Sequence, residues 1–266
     1  MSYLLWLIIL FTCSFKTDQL FLNVVNNATM KAMIFSAGLG TRFKPWTDSH
    51  PKALALVNGK ALLQRNIKYL QQYNIKDVVV NVHHFPEQII EAIEKNNGWG
   101  SNIMVSDEKD EILETGGGLL KAKDLLGTET FLTINVDILT ELNLKYFLSY
   151  HQQQNSLITL AVSDRKTSRY LLFNKYNRLC GWRNTKTGDE KIVIKAKDIF
   201  KKAYSGLALF EPAVLNLIPF TGKFSLIDGY LALAPENKIA GFDHTGEKLI
   251  DVGKPESVVI AEQMFV

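Results

Sequence analysis

From Met30 to Gln154 the chain alternates short apolar runs with stretches of helical periodicity. That alternation restricts it to an α/β fold, a mixed, mostly parallel sheet with helices on both faces. The runs Ala32–Ser36, Asp77–Asn81, Ile103–Ser106 and Phe131–Asn135 predict strands. Helices are expected at Ala61–Tyr73, Pro86–Lys95, Gly118–Leu126 and Leu144–Gln154. Pro86 suits a first helical position, where its missing N–H costs nothing. Beyond Ser156 the runs shorten to Leu157–Val162, Tyr170–Phe173, Arg178–Trp182, Lys191–Ile194 and Ala203–Phe210, separated by polar turns such as Thr187-Gly188-Asp189. They predict a small antiparallel extension that covers a substrate. Leu226–Leu233 and Glu256–Met264 read as helices around a last strand near Leu249-Ile250. No repeat, low-complexity tract or linker interrupts residues 30–266, which are expected to form one domain.

With 266 residues, 47% of them hydrophobic, the chain can bury a substantial core. Its formal charge of +3 includes no dense Lys/Arg tract, which argues against a nucleic-acid surface and leaves room for a few placed cations. Cys13 and Cys180 stand in no metal-ligand spacing and imply no disulfide framework. The apolar run Leu4–Phe11 falls short of a membrane span, which needs about 20 residues. No Lys or Arg precedes it, and no small-residue cleavage site follows. Residues 1–29 are therefore expected to be a dispensable leader or upstream extension, and the remainder a cytoplasmic enzyme without a stable membrane span.

The densest chemical signal is Ser36-Ala37-Gly38-Leu39-Gly40-Thr41-Arg42-Phe43, running on to His50-Pro51-Lys52. A strand ends at small residues, and successive N–H groups of a glycine-rich turn can form an anion-binding nest. Arg42 offers a planar fork to phosphate oxygens, and Lys52 a compact point charge. A dinucleotide-binding loop would need a third glycine where Phe43 stands and an acid where Asn81 stands. A P-loop fails at Gly59-Lys60-Ala61. A plain tight turn explains the glycines but not Arg42 together with Pro51-Lys52. Elsewhere, Asp137 follows the strand Phe131–Asn135, at the carboxyl edge where α/β sheets place ligands. It can also be read as a turn or capping aspartate, and Asp251 as a helix-entry residue. Gly116-Gly117-Gly118 is expected to pass flat against a ligand before a helix begins; the alternative is a hinge. Ser205-Gly206 can be read as a β-bulge.

Gly38-Leu39-Gly40-Thr41-Arg42 with Pro51-Lys52 resembles the signature of the sugar-1-phosphate nucleotidyltransferases, which share a Rossmann-like fold. The resemblance runs from Met30 almost to Val266. Glu114-Thr115-Gly116-Gly117-Gly118 is similar to the N-acetylmuramate 1-phosphate uridylyltransferases within that family. Asp251-Val252-Gly253-Lys254-Pro255-Glu256 points to the same group and to mannose-1-phosphate guanylyltransferases. The resemblance implies that Asp137 and Asp251 bind Mg²⁺, and that an NTP and a sugar 1-phosphate are the substrates. It places Ala37, Gly38, Gly40, Thr41, Gly116 and Gly117 on the nucleotide, and Lys52 and Gly206 on the sugar side. Arg42 would hold the departing β and γ phosphates, and Lys52 the sugar phosphate or α-phosphate. Two departures stand out: Val136 occupies a position where the family has glycine, and no Glu-Lys-Pro segment is recognisable.

Phosphocholine cytidylyltransferases share the loop and the Pro-Lys, and Trp182 with Tyr204 could form a cage for a quaternary ammonium. A nucleotide-sensing domain without catalysis is disfavoured by the two aspartates and Lys52. Arg165, Arg169, Trp182, Arg183 and Asn184 are candidates to face the sugar. His83-His84 lacks partners for a metal site and reads as a loop near the base or sugar. Lys195, Lys197, Lys201 and Lys202 read as a solvated stretch.

Overall fold

A computed structural model of the chain describes residues 30–266; the expected leader, 1–29, lies outside them. The sheet is mixed and ten-stranded. One side of it is parallel: β1 (Ala32–Phe35) lies between β4 (Asp77–Val82) and β6 (Phe131–Asn135), and β5 (Asn102–Asp107) forms the edge beyond β4. Between β1 and β4 come the short pair β2 (Leu56–Val57) and β3 (Lys60–Ala61), then helix α1 (Leu62–Gln71). Helix α2 (Pro86–Lys95) joins β4 to β5, and α3 (Glu114–Lys121) with α4 (Lys123–Leu126) joins β5 to β6.

Alternation along β1 divides the core. Ala32 and Ile34 pack on the face covered by Leu62, Leu63, Ile67 and Leu70 of α1 and Ile89 of α2. Met33 and Phe35 pack on the other face, under Leu119 and Leu126. Strand residues point alternately to opposite faces, so a run without polar interruption demands cover on both. Full burial of an Ile, Leu, Met or Phe side chain contributes about 1.5–3 kcal/mol.

After β6 the chain forms a short strand β7 (Ile138–Thr140), helix α5 (Leu144–Gln154) and β8 (Ile158–Ser163). The Asn143 side chain accepts from the Lys145 and Tyr146 N–H groups and starts α5 where the sequence places it. The antiparallel extension is β9 (Arg169–Asn174), β10 (Leu179–Asn184) and β11 (Glu190–Ile192). A long strand, β12 (Ile199–Phe210), links it to the centre: its start pairs with β9, its end with β6 and β8. Then come α6 (Val214–Leu217), α7 (Leu226–Leu233), β13 (Ile239–Asp243), β14 (Leu249–Asp251) and α8 (Glu256–Met264). No helix among the described residues is long and apolar enough to cross a membrane.

Candidate active site

The carboxyl ends of β1, β4 and β6 open into a cleft of about 450 Å³. Its floor is set by the exit from β1. Ser36 donates its N–H to Asn81 Oδ1 at 2.8 Å and its hydroxyl to the Asn81 carbonyl, pinning the loop to the end of β4. Gly40 turns the chain at φ 60°, and a Cβ there would lie 2.8 Å from Thr47 Cγ2 and 3.2 Å from Lys52 Cβ. Only glycine fits both the left-handed backbone and the close approach. The Gly40 carbonyl accepts from the Phe43 N–H (2.7 Å) and the Thr47 hydroxyl (3.0 Å). Phe43 thereby turns into the core, and Arg42 faces the cleft. Ala37, Gly38, Gly40, Thr41, Arg42, Lys52 and Asp137 all line this space.

Asp137 and Asp251 reach one place through a two-stranded ribbon. β14 pairs antiparallel with β7, setting Asp251 opposite Ile138, and the Val252 N–H donates to the Asp137 carbonyl at 2.8 Å. Val136 fits without a glycine's freedom. It has no positive φ, its N–H donates to the Phe35 carbonyl, and its carbonyl accepts from Asn66 Nδ2 at 2.9 Å. Lys52 Nζ sits 2.5 Å from Asp137 Oδ2, and its side chain is only 10% exposed.

Burial pushes the Asp251 carboxyl above its ordinary value; the charge of Asp137 adds to the rise, while Lys52, Arg42 and Arg165 pull it back. Asp251 Oδ1 is buried and finds no hydrogen-bond partner among the described residues. Gly253 gives way to it: a Cβ there would lie 2.6 Å from that oxygen and 3.1 Å from Arg42 Nη2. No group of three or more His, Cys, Asp or Glu side chains among the described residues could hold a metal ion. Two carboxylates, one with an orphaned buried oxygen, do fit a hard cation that completes its shell with water and substrate phosphate oxygens.

A second cavity of about 260 Å³ adjoins the first and shares Arg42, Asn135 and Asp137 with it. Asp251, Arg165, Arg169, Trp182, Tyr204 and Gly206 are among its walls. Gly206 is both a bulge residue and a cavity residue. The register of β12 against β8 shifts between Tyr204 and Ala208, and Gly206 sits there at φ 80°. A Cβ on it would meet Ile138 Cγ1 at 2.7 Å. Arg165 donates from Nη2 to the Tyr204 carbonyl at 2.7 Å. Lys52 lines the first cavity only.

Several expectations need correction. Gly116, Gly117 and Gly118 lie inside α3, which starts at Glu114, and do not line the cleft. A Cβ on them would strike the Phe224 ring at 2.2 Å, the Gly222 carbonyl oxygen at 2.1 Å and Glu108 Oε1 at 2.6 Å respectively. They are absent side chains that let a helix seat closely. Glu114, at φ 57°, and Thr115 form the cleft wall instead. His83 bonds the Glu108 carbonyl and His84 the Thr47 carbonyl, and neither lines a cavity. Arg183 pairs with Glu190, away from both cavities. Lys202 is no solvated lysine: it bridges Asp164 (2.7 Å) and Asp243 (2.5 Å).

Asn81 and Asn135 also line the cleft, and sequence reasoning passed over them as residues of the site. Their signal was position, since both stand at the carboxyl ends of parallel strands.

A glycine-rich loop, two aspartates brought together by the β7–β14 ribbon and an adjoining cavity with three arginines suit an α/β enzyme that handles phosphates. The chain matches the Nucleotidyl transferase family over residues 31–172 and belongs to it. It is 39% identical to the N-acetylmuramate alpha-1-phosphate uridylyltransferase of Neisseria meningitidis serogroup B, covering 84% of this chain and 93% of that protein. It is 29% identical to the enzyme of the same description from Caulobacter vibrioides, covering 90% of this chain and 98% of that one. The crystal structure of HddC from Yersinia pseudotuberculosis complexed with GMP-PN shares the fold, with a TM-score of 0.72 and 23% identity over 89% of this chain and all of that one. The protein is thus an enzyme of nucleotide transfer.

Proposed function

We propose that the enzyme transfers UMP from UTP to N-acetylmuramate 1-phosphate, releasing pyrophosphate, with Mg²⁺ as cofactor and the cytoplasm as its setting. The observation that carries this reading is the 39% identity to a uridylyltransferase of that specificity. The joined cavities support it, one beside the glycine-rich loop and one beside the three arginines Arg42, Arg165 and Arg169.

The acceptor phosphate oxygen attacks the α-phosphorus, and the bond from that phosphorus to the β-phosphate bridging oxygen breaks. A phosphate monoester has its second pKa near 6, so the nucleophile is already ionised and asks no proton of the protein. The chain's residues bind, align and neutralise. Gly38, Gly40 and Thr41 present the loop backbone to the triphosphate. Arg42, which borders both cavities, holds charge on the side where pyrophosphate departs. Lys52, released from Asp137, takes the α-phosphate. Asp137 and Asp251 would hold Mg²⁺, which supplies charge neutralisation and orientation between the two phosphates. A quaternary-ammonium acceptor fits poorly, because Trp182 and Tyr204 share their cavity with those arginines.

Pyrophosphate release, measured for four nucleotides against several sugar 1-phosphates, tests the proposal. Higher kcat/KM for UTP with N-acetylmuramate 1-phosphate is expected. A higher value for GTP with mannose 1-phosphate overturns the substrate assignment and leaves nucleotidyl transfer standing.

A further inference from the structure

The acceptor-side cavity holds an arginine side chain that no described residue engages. Its charged side chains are Arg42, Arg165 and Arg169 against Asp137 and Asp251. Asp137 is already paired with Lys52. Arg165 is anchored by the Tyr204 carbonyl at 2.7 Å and lines the same cavity as Asp137 and Asp251. Arg42 faces both cavities. Those two suffice for the phosphates that meet there.

Arg169 is different. It opens β9, where its backbone is fixed by pairing with Asn184 and by an N–H bond to the Thr167 hydroxyl at 3.3 Å. Its guanidinium makes no ion pair and no hydrogen bond with any described residue, yet it lines the cavity. A guanidinium is a rigid planar fork matched to a carboxylate. Ile138, Trp182 and Ile227 give the same cavity apolar wall, which suits alkyl or acetyl substituents.

We infer that Arg169 reads a carboxylate on the acceptor sugar, so that the enzyme prefers acidic sugar 1-phosphates to their neutral counterparts. This rests on the reading that the second cavity receives a sugar 1-phosphate. It adds to that reading the residue that would select sugars carrying an acid group besides the phosphate. A neutral sugar leaves the fork unpaired at the cavity wall. An acidic one gives it a partner for a two-pronged, charge-assisted pair.

The test compares two acceptor pairs that differ by a carboxylate: N-acetylmuramate with N-acetylglucosamine 1-phosphate, and glucuronate with glucose 1-phosphate. Wild type should favour the acidic member of a pair. Arg169→Ala should lower kcat/KM for that member about tenfold, mainly through KM, and leave the neutral member within about twofold. Arg169→Lys, which keeps the charge and loses the fork, should recover part of the loss. Unchanged thermal unfolding of both variants is expected, since the side chain supports nothing else. Equal loss on acidic and neutral acceptors, or no loss, overturns the inference. So does a wild type that prefers the neutral member of both pairs, although nucleotidyl transfer to sugar phosphates then stands. A wild type inactive with every sugar phosphate removes the proposed function, and this inference with it.

Discussion

The Lys52 ammonium lies 2.5 Å from Asp137 Oδ2, while Asp251, next in the same ribbon, leaves Oδ1 buried without a partner among the described residues. Two aspartates with one expected role thus stand in opposite electrostatic states. Asp137→Asn and Asp251→Asn should both cut turnover by about 10²–10³, as loss of a transition-state electrostatic group does. Their effects on stability should have opposite signs. Asp137→Asn strands a buried ammonium and should destabilise by about 1–3 kcal/mol. Asp251→Asn removes a buried charge beside another carboxylate and should be neutral or stabilising by about 1 kcal/mol. Pyrophosphate release and urea unfolding of each variant measure both quantities. Near-normal turnover at limiting Mg²⁺ would withdraw the metal role.

Two glycines separate folding from binding. A Cβ on Gly38 meets nothing within 4 Å, whereas one on Gly117 would lie 2.1 Å from the Gly222 carbonyl oxygen. Gly38→Ala should leave stability within about 0.5 kcal/mol of wild type and raise the KM for nucleotide. Gly117→Ala should cost about 1–3 kcal/mol, because backbone must move to admit the methyl group. Denaturant midpoints and nucleotide KM values distinguish the pair; a Gly117→Ala protein of wild-type stability would contradict the close packing.

Arg42 borders both cavities and Lys52 only one, so their losses should differ. Arg42→Ala should lower kcat by about 10²–10³, since its charge serves the transition state. Lys52→Ala should weaken substrate binding as well, and should also free Asp137. Steady-state kinetics with each substrate varied in turn will read the difference. Identical profiles, confined to nucleotide affinity, would dissolve the division of roles.

Acid should loosen the fold through its buried histidines. His151, bonded to Thr159 and Glu211, has its pKa lowered by burial, with Glu211 opposing the shift; burial also lowers that of His244. A native pKa below the unfolded value of about 6.5 means that the unfolded chain takes up protons the native state refuses. Stability should therefore fall as pH drops below about 6.5, by up to about 1.4 kcal/mol per pH unit for each histidine. His151→Gln should flatten the slope between pH 6.5 and 5.5 in urea unfolding, whatever it does to stability at pH 7.5. An unchanged slope would assign the acid sensitivity elsewhere.

Legibility in the sequence followed the physics of each signal. Helices with a local start marker, Pro86 for α2 and Asn143 for α5, stand where periodicity puts them. Helix α3 begins four residues earlier than expected, because glycine disfavours helices by about 1 kcal/mol and only the packing of Phe224 and Gly222 reveals why it is tolerated. Strands β7 and β13 escaped notice; β7 is three residues long, and each takes its identity from a partner distant in sequence. The loop from Ala37 to Arg42 was legible since its chemistry is contiguous. That Asp251 stands opposite Ile138 depends on the register of a ribbon, which no local pattern encodes.

Strand β12 has a consequence for how the molecule can be taken apart. Its first residues pair with β9 in the acceptor wall and its last with β6 in the nucleotide sheet, with the Gly206 bulge as the joint. The wall of the second cavity and the sheet that carries the first are therefore spliced along a single strand and are not modules joined by a tether. Grafting another protein's acceptor wall would have to carry β12 along and so disturb the donor side. Retuning the acceptor is a matter of exchanging individual side chains on β9, β10 and β12, Arg169 and Trp182 foremost, while the backbone stays whole.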